Sequence, residues 1–294
     1  MLREPPALSP HIAIGPGRVA LVIEYDGAGF HGWQYQKGSV RTIGGVLHQA
    51  VSKVANHPVE LVCAGRTDAG VHASYQLVHF DTRVSRPLRS WVLGINTNLP
   101  GDVRVHWAGA VADDFSARFS ATRRRYRYLM LSQTTPPAVL RNQVSWTHHP
   151  LDGPAMHRSA QCLLGEHDFS AFRAAGCQAN SPWREVTAAS VYGCGPFLVL
   201  DVEANAFLHH MVRNIAGTLM RVGTGEADEA WTQRVLAGRD RRAAGITAPA
   251  QGLYLIDVCY PGYPDIPRPR LGPPLLMAMA SDSAGSRGDA GRSL

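Results

Sequence analysis

The two halves of the chain show the same order of apolar patterns. In the first half, apolar residues that alternate along the chain predict strands at 19–25, 59–64, 76–80 and 103–107. Apolar residues at helical spacing predict helices at 46–54 and 88–93. In the second half, the same patterns predict a strand at 125–131, a helix at 156–164, strands at 186–191 and 197–202, helices from 207 and at 231–236, and a strand at 253–258. Each half therefore has the order β-α-β-β-α-β, with one additional helix before the last strand of the second half.

This order predicts an α+β fold of two tandem ferredoxin-like (RRM-like) units with a largely antiparallel sheet. We expect an N-terminal domain at 18–112 and a C-terminal domain at 113–264. Residues 1–17 carry prolines and no apolar core, which predicts a flexible lead. Prolines recur from 261 onward and the last residues are rich in Ser and Gly, which predicts a disordered tail at 265–294. The motifs do not recur between the halves, so only the architecture repeats.

The charge of the chain favours a polyanionic partner. The formal net charge is +6 over 294 residues, and the pI is about 9.3. Only Lys37 and Lys53 of the 29 basic residues are lysines. The others are arginines, which suit phosphates because the flat guanidinium donates two parallel hydrogen bonds. A genome rich in arginine codons would produce the same excess, so composition supports nucleic-acid binding only weakly.

The cysteines and histidines give no sign of a metal site. The five cysteines are scattered and form no Cys-x-x-Cys pair, which is typical of reduced thiols in a cytoplasmic protein. Two adjacent histidine pairs occur, His148-His149 and His209-His210. Because neighbours in sequence point away from each other, we expect neither pair to chelate a metal on its own. No apolar run approaches ~20 residues, and the first residues lack a signal-peptide core, so no membrane span is predicted.

The strongest candidate for chemistry is the run Cys63-Ala64-Gly65-Arg66-Thr67-Asp68-Ala69-Gly70-Val71-His72-Ala73. It follows a predicted strand and places one carboxylate, Asp68, between two glycines that allow a sharp turn and close approach of a ligand. The guanidinium of Arg66 can hold Asp68 in its charged form. An ordinary turn with a surface ion pair explains the same residues equally well, so both interpretations stay open.

A second candidate is the strand Arg123-Arg124-Arg125-Tyr126-Arg127-Tyr128. Strand alternation puts its odd-numbered arginines on one face and the two tyrosines on the other. Aromatic rings on a strand can stack on an unpaired base, and arginines beside them can bind phosphates. The alternative is an edge strand with solvated arginines and buried tyrosines. We expect Tyr128 in the core and leave Tyr126 open.

A third candidate is the predicted helix at 207–221. Its apolar residues cluster on one arc, and the opposite arc carries His209, His210, Arg213, Asn214, Gly217 and Arg221 without a single acid. This composition favours a face that meets an anion or a carboxylate such as Asp68. A merely solvated face remains the alternative.

Together these residues resemble the TruA family of tRNA pseudouridine synthases. The resemblance covers roughly residues 18–264, and its motifs are specific jointly rather than singly. The matching segments, in chain order, are Tyr25-Asp26-Gly27 with Gly32-Trp33-Gln34, Gly65 to His72, Ala117-Arg118-Phe119-Ser120-Ala121 leading to Tyr126, His210-Met211-Val212-Arg213-Asn214, and Gly252-Leu253-Tyr254-Leu255. The sequence departs from the family pattern at Ala28, Tyr35 and His209.

The resemblance implies isomerisation of uridine to pseudouridine at positions 38, 39 and 40 of the tRNA anticodon stem-loop. It implies a cytoplasmic homodimer without a metal or cofactor, with the active site in the cleft between the two units. Asp68 would be the catalytic aspartate. The target uracil, flipped out of its helix, would stack on Tyr126. Tyr126 is also a candidate for the group that removes the proton from C5. Arg213 would pair with Asp68. The candidate substrate contacts are Arg66, Leu253, His72, Arg125 and Arg127.

Two other function classes share some of these features. A non-catalytic RNA-binding protein built from two RRM-like units would have the same fold and charge, but the chain lacks the aromatic RNP1 pattern, and Asp68 would have no role. A base-excising N-glycosidase would also combine a carboxylate with base flipping, and free uracil in its product would identify it.

Overall fold

The structure is a computed structural model that describes residues 12–35, 40–268 and 272–276. The described part of the chain forms strands β1 Ala13–Ile14, β2 Gly17–Tyr25, β3 Val62–Cys63, β4 His72–Thr82, β5 Arg86–Pro87, β6 Val103–Ala110, β7 Arg123–Ser132, β8 Ser145–Thr147, β9 Gly165–Asp168, β10 Trp183–Cys194, β11 Phe197–Ala204 and β12 Leu253–Cys259. Its α-helices are α1 Ile43–Ala55, α2 Leu88–Asn98, α3 Gly153–Ala160, α4 Met211–Gly223 and α5 Trp231–Gly238.

One large sheet carries both halves of the chain. Its main path runs β6-β2-β4-β12-β7-β11-β10-β9, with β3 paired to β4 and β8 paired to β7. The pairs β4–β12 and β7–β8 are parallel, and the other described pairs in this sheet are antiparallel. The predicted α+β class with a largely antiparallel sheet is therefore confirmed.

The parallel β4–β12 pair joins the two halves. Its register matches Tyr254 with His72 and Leu255 with Ala73. On the far side of β12, Leu255 pairs with Tyr126 of β7. Because the loop that carries Asp68 leads directly into β4, this register brings that loop beside the middle of β7.

The helices pack on one face of the sheet and enclose the larger apolar core, which includes the fully buried Tyr128, as predicted. A smaller apolar cluster lies on the opposite face. It consists of Leu129, Leu131, Val144, Phe197, Val199, Tyr254, Ile256 and Leu276. Both faces of the second half are therefore covered. None of the helices in the described ranges is long and apolar enough to cross a membrane.

The predicted elements are present, and two of them differ from the prediction in a way that bears on the site. The predicted strand at 59–64 is reduced to β3, because only Val62 and Cys63 pair with β4. The helix predicted from residue 207 begins at Met211 as α4. His210 precedes it with φ 61°, a left-handed conformation that ends any helix approaching from residue 207.

The described parts of the predicted flexible ends are packed. Ile14 is buried, and β1 pairs with β5 next to α2. In the tail, Pro267 accepts a hydrogen bond from Tyr75 Oη at 2.7 Å, and Leu276 is 3% exposed within the smaller cluster. Residues 12–17, 265–268 and 272–276 are therefore packed, contrary to the expected flexible lead and disordered tail, because Ile14, Ile266 and Leu276 bury their side chains in the two apolar clusters. Residues 1–11, 269–271 and 277–294 lie outside the described residues.

Truncation after Pro267 should destabilise the protein, whereas truncation after Leu276 should have little effect. The shorter chain lacks the leucine that covers the smaller cluster and the Gly272 carbonyl that accepts from Arg127 Nη1 at 2.9 Å. Burial of one leucine contributes ~1.5–3 kcal/mol, so we expect a difference of about 2 kcal/mol in the free energy of unfolding. Urea denaturation of the two truncated chains measures it, and equal stability would contradict the docking of residues 272–276.

Candidate active site

Asp68 lies in the loop between β3 and β4, and Gln76 anchors the beginning of that loop. The Gln76 side chain donates from Nε2 to the carbonyl oxygen of Gly65 at 2.6 Å, and its Oε1 accepts from the backbone N–H of Gly65 at 3.3 Å. Gln76 is fully buried in β4. Because an unpaired buried amide is costly, these two bonds strongly favour one position for the loop.

The turn at 26–33 supports the other side of the loop. The backbone N–H of Trp33 donates to the carbonyl oxygen of Thr67 at 2.9 Å. The hydroxyl oxygens of Tyr25 and Thr67 lie 2.9 Å apart in a buried contact. The residue before Asp68 is thus held through both its backbone and its side chain, so the position of the carboxylate is set without a ligand.

The two glycines of the loop have different roles. Gly70 adopts φ +79°, the left-handed conformation expected for a sharp turn. Gly65 is not among the residues with positive φ, but a Cβ placed on it would lie 3.6 Å from the hydroxyl oxygen of Tyr126. This distance is ordinary van der Waals contact, so it shows that the Asp68 loop runs beside Tyr126 but does not require a glycine at position 65.

Three basic side chains surround the carboxylate of Asp68. Arg213 Nη1 donates to Oδ2 at 3.2 Å. His209 Nε2 lies 3.5 Å from Oδ1, and His210 Nε2 lies 3.4 Å from Oδ2. The side chains of Asp68 and Arg213 are 22% and 15% exposed, so their contact is shielded from water yet open to a ligand.

Arg213 is held in place from the N-terminal turn of α4. Its Nε donates to the carbonyl oxygen of Ala248 at 2.8 Å, and the backbone N–H of Ala248 donates to the carbonyl oxygen of Arg213 at 3.1 Å. The guanidinium therefore reaches Asp68 from a position fixed by the loop at 244–249. The same loop covers Gly217, whose missing side chain lets the carbonyl of Ile246 approach.

His209 and His210 point to the same side, contrary to the expectation for adjacent residues. Their ring centroids are 3.9 Å apart with an interplanar angle of 41°. The alternation rule applies to extended strands, whereas His210 has φ 61° at the start of α4. Burial lowers the pKa of His210 below its usual value, while the carboxylate of Asp68 acts in the opposite direction.

Asp68, His209 and His210 could hold a metal ion. Their ligand atoms all lie within 4.8 Å of one another, and no other group of three His, Cys, Asp or Glu residues converges in this way among the described residues. The other histidine pair, His148-His149, has nearly the same ring geometry, with centroids 3.8 Å apart at 40°, but belongs to no such group.

Tyr126 lies on the helix-covered face of β7, beside the Asp68 loop. Its ring is 8% exposed and meets Phe207 edge to face, with centroids 5.0 Å apart at 85°. Burial, reinforced by the charge of Asp68, raises the pKa of the phenol, while Arg124 lowers it to a smaller extent. The hydroxyl therefore keeps its proton at neutral pH.

Leu253 lies on the same face of the sheet as Tyr126. It begins β12, pairs with Tyr128 of β7 and is buried. Directly paired residues of antiparallel strands share a face, so the Leu253 side chain belongs to the apolar surface under the site. The location of Leu253 is consistent with apolar packing beneath the site rather than with a polar contact to the substrate.

Arg66 is exposed beside Asp68 but does not pair with it. Within the described ranges, no hydrogen bond or ion pair of the Arg66 side chain is present, and Asp68 is met by Arg213 instead. The expectation that Arg66 holds Asp68 through an ion pair is therefore wrong. The backbone turn directs these two side chains differently, which leaves Arg66 available to a ligand.

His72 is a buried structural residue. Its ring stacks on Tyr254 with centroids 4.7 Å apart, its Nε2 lies 2.8 Å from the carbonyl oxygen of Asn142, and its Nδ1 lies 3.0 Å from Asp26 Oδ1. The contact between His72 and Asp26 is the main reason why the pKa of Asp26 lies below its usual value. Tyr254 alternates with Leu253, so His72 stacks on the face opposite the site. The structure does not bring His72 to the predicted substrate contacts.

Arg125 and Arg127 also lie on the face opposite Tyr126. Both bind Asp201 of β11, from Nε of Arg125 to Oδ1 at 2.6 Å and from Nε of Arg127 to Oδ2 at 2.9 Å. Asp201 is only 2% exposed, and an unpaired buried carboxylate would be costly. The alternation predicted for this strand is present, but its consequence differs: these arginines neutralise a buried acid rather than present themselves to phosphates beside Tyr126.

Two supporting residues were missed in the sequence, Gln76 and Arg124. Arg124 lies in the predicted strand, but no spacing distinguishes it from its neighbours. Its guanidinium donates to four backbone carbonyl oxygens at 2.6–3.4 Å and so connects the Asp68 loop with two other segments. Burial lowers its pKa, although the guanidinium remains charged. The four acceptors are Ala64, Arg118, Ala121 and Asn205.

Known proteins show close similarity to this chain. The family model described as tRNA pseudouridine synthase matches residues 21–120 and 159–261. The tRNA pseudouridine synthases A of Escherichia fergusonii and of Escherichia coli O1:K1 / APEC are each 52% identical over 259 residues, which is 88% of this chain and 96% of theirs. A chain from a crystal structure of a Cbf5-Nop10-Gar1 complex has a TM-score of 0.33 at 11% identity, covering 69% of this chain and 44% of that chain, too low to carry an argument.

The family model covers more than half of the chain, and the relatives match 88% of the chain at 52% identity. The motifs that suggested the resemblance fall within the matched segments, apart from Ala121 and Tyr126. The chain therefore belongs to the tRNA pseudouridine synthase family.

Proposed function

We propose that this protein isomerises uridine to pseudouridine at positions 38, 39 and 40 of the tRNA anticodon stem-loop, with Asp68 as nucleophile and the target base flipped out of its helix. As a member of its family, the chain is an isomerase that acts on tRNA. The choice of positions, the nucleophile and base flipping are the finer parts of the proposal. The observation that carries it is the Asp68–Arg213 contact beside the ring of Tyr126.

The reaction needs little beyond these groups. The bond between N1 of uracil and C1′ of the ribose breaks, a bond between C5 and C1′ forms, and the proton on C5 is replaced by one on N1. Oxidation state is unchanged. A carboxylate nucleophile can divide this exchange into two easier steps, and Arg213 would stabilise the charge of Asp68 when water is displaced. Attack on the base and assistance of a glycal route at the sugar are both compatible with this geometry.

Base flipping is proposed because Asp68 cannot reach the glycosidic bond of a stacked base. Flipping costs a few kcal/mol of unstacking, which a new stacking contact can offset. Tyr126 has the aromatic ring for that contact. Arg66, which is exposed and has no partner among the described residues, has the charge to bind the phosphate of the extruded nucleotide.

The raised pKa of Tyr126 constrains its role as a base. Little phenolate is present at neutral pH. The hydroxyl can take the proton from C5 only if its own proton leaves in the same step, for example toward the bound nucleotide or water. Tyr126 would therefore act as a proton relay rather than as a preformed base.

The proposal also includes the organisation of the fold. In each half the four core strands have the spatial order fourth-first-third-second, as β6-β2-β4-β3 and β12-β7-β11-β10. This shared order supports two tandem ferredoxin-like units with the active site between them. The homodimer implied by the family resemblance stays a prediction.

The direct test is tritium release from C5-labelled uridine in unmodified tRNA by the purified protein, followed by mapping of pseudouridine in the product. We expect release matched by pseudouridine at the three anticodon stem-loop positions. Release of free uracil would indicate an N-glycosidase, and binding without release would indicate a non-catalytic RNA-binding protein.

Asp68→Asn should abolish turnover while tRNA binding survives. The amide keeps the size of the side chain but removes the charge and the nucleophilic oxygen. Single-turnover pseudouridine formation measures the effect, with Asp114→Asn, which removes an exposed loop carboxylate, as the control. Retention of about a tenth of wild-type turnover corresponds to a loss of only ~1.4 kcal/mol and would rule out the nucleophile role.

Substitutions of Tyr126 should separate its ring from its hydroxyl. Tyr126→Phe should bind tRNA normally and stall after the base is detached, whereas Tyr126→Leu should also lose the ~1–3 kcal/mol that base stacking contributes. Tyr128→Phe is the matched control, because it removes a hydroxyl on the same strand face that donates to the carbonyl oxygen of Pro249 at 2.9 Å. Normal turnover in the Phe variant would exclude the hydroxyl as a relay, and normal behaviour of both variants would make Tyr126 a core residue.

Arg66→Gln should weaken tRNA binding and flatten its salt dependence. One lost phosphate contact reduces the slope of log affinity against log salt by about 1. Arg234→Gln is the control, since it removes the same charge from a guanidinium already paired with Asp228 at 2.9 Å. An unchanged slope in Arg66→Gln would show that Arg66 does not contact phosphate.

A further inference from the structure

The nucleophile proposed above is also one corner of a group of potential metal ligands. Asp68 offers a carboxylate oxygen, and His209 and His210 each offer Nε2. The catalytic proposal uses none of these groups to bind a metal and assigns no role to either histidine.

The spacing of the three groups suits a small divalent transition metal ion. A tetrahedral zinc ion with bonds of about 2.0–2.1 Å to nitrogen and oxygen holds its ligand atoms about 3.3–3.4 Å apart. His209 Nε2 lies 3.5 Å from Oδ1 of Asp68, His210 Nε2 lies 3.4 Å from Oδ2, and one ligand atom from each of the three residues lies within 4.8 Å of the others. Small side-chain rotations would bring one oxygen and both nitrogens to the tetrahedral spacing. Two imidazoles and one carboxylate form a ligand set that zinc, cobalt and nickel accept, with the fourth position open to water.

The backbones of both histidines are fixed in this arrangement. The N–H of His209 donates to Sγ of Cys177 at 3.4 Å, and its carbonyl oxygen accepts from Ala174 at 3.0 Å. The carbonyl oxygen of His210 accepts from Asn214 in the first turn of α4 at 2.9 Å. Binding of an ion would therefore require only small rotations of the side chains and no change in the backbone of the two histidines.

The positive charge of Arg213 would repel a bound cation, but Arg213 contacts only one of the two oxygens of Asp68. It binds Oδ2 at 3.2 Å, whereas Oδ1 faces His209 at 3.5 Å. The guanidinium charge would lower the affinity for a divalent ion. This arrangement favours an ion that binds reversibly over a permanently held structural metal.

We propose that Asp68, His209 and His210 form a reversible site for a divalent transition metal ion of the zinc type, and that the bound ion inhibits the enzyme. Coordination would engage the carboxylate oxygen that the reaction needs and would occupy the space where the target nucleotide binds. The inhibitory part rests on the proposed function; the binding part does not.

The binding test uses Co²⁺ as a spectroscopic probe with the full-length protein. Titration should give the visible ligand-field absorption of tetrahedral cobalt at one ion per chain, and Zn²⁺ should displace it. His209→Gln, His210→Asn and Asp68→Asn should each weaken binding by more than about 100-fold, since loss of even an outer-shell partner of a metal site costs about 10- to 100-fold. Asparagine is chosen at position 210 because it tolerates the left-handed backbone there.

The chain offers a matched control in its second histidine pair. His148→Gln/His149→Gln removes two adjacent, exposed imidazoles with nearly the same ring geometry but no converging carboxylate. This double variant should bind Co²⁺ as wild type does. Absence of tetrahedral absorption in wild type, or its persistence in the His209 and His210 variants, would overturn the proposed site.

Inhibition is measured separately by pseudouridine formation with and without Zn²⁺. We expect Zn²⁺ to suppress turnover of wild type and of the His148→Gln/His149→Gln control, and a chelator to restore it. If the protein binds Co²⁺ through the three groups but forms no pseudouridine in metal-free buffer, the proposed function fails and the metal site stands. If it is active and Zn²⁺ bound at this site leaves the activity unchanged, the inhibitory part is wrong.

Discussion

The parallel pairing of β4 with β12 is the contact on which the arrangement of the site depends. It joins the two halves of the chain into one sheet at the register Tyr254–His72 and Leu255–Ala73. β4 begins where the Asp68 loop ends, and β12 pairs with β7 on its other side. The carboxylate and the ring of Tyr126, which are far apart in sequence, become neighbours because of this register. A slip of one residue along β12 would turn Leu253 to the opposite face.

The charges of the protein divide into two groups with different tasks. Arg124, Arg125 and Arg127 lie in a single strand, yet all three have internal partners, either backbone carbonyls or Asp201. Arg66 is exposed and unpaired among the described residues, and Arg213 faces Asp68. An excess of arginine in a sequence therefore does not map directly onto an RNA-binding surface, because buried acids and orphan carbonyls also require guanidinium groups.

The site combines a rigid support with a chemically versatile centre. Gln76 and Thr67 hold the loop in place through hydrogen bonds of their buried side chains. The carboxylate of Asp68 takes no part in these bonds and can interact with neighbouring groups. In the structure these neighbours are Arg213 and two imidazoles. The two proposals therefore use the same carboxylate, one as a nucleophile and the other as a metal ligand. Because the proposed ion binds reversibly, the affinities and concentrations of RNA and metal would decide which of the two occupies the site.

Apolar periodicity and glycine positions are local properties, so the residue pattern was enough to predict the elements, the α+β class and the residues of the Asp68 loop. The joint motifs also indicated the family and the candidates Asp68, Tyr126 and Arg213. The face of the sheet on which each candidate lies depends on long-range packing, which the pattern does not contain. His72, Arg125 and Arg127 went to the opposite face, since strand alternation gives relative directions but does not tell which face carries the site.

The backbone conformation at His210 and the packing of the tail were likewise decided by tertiary structure. A left-handed residue at the start of α4 turns two adjacent imidazoles to one side, and no local pattern predicts it. Leu276 is buried because it covers apolar residues contributed by strands distant in sequence. Such contacts are long-range, so the composition of the segment alone predicted disorder where the sheet provides a partner.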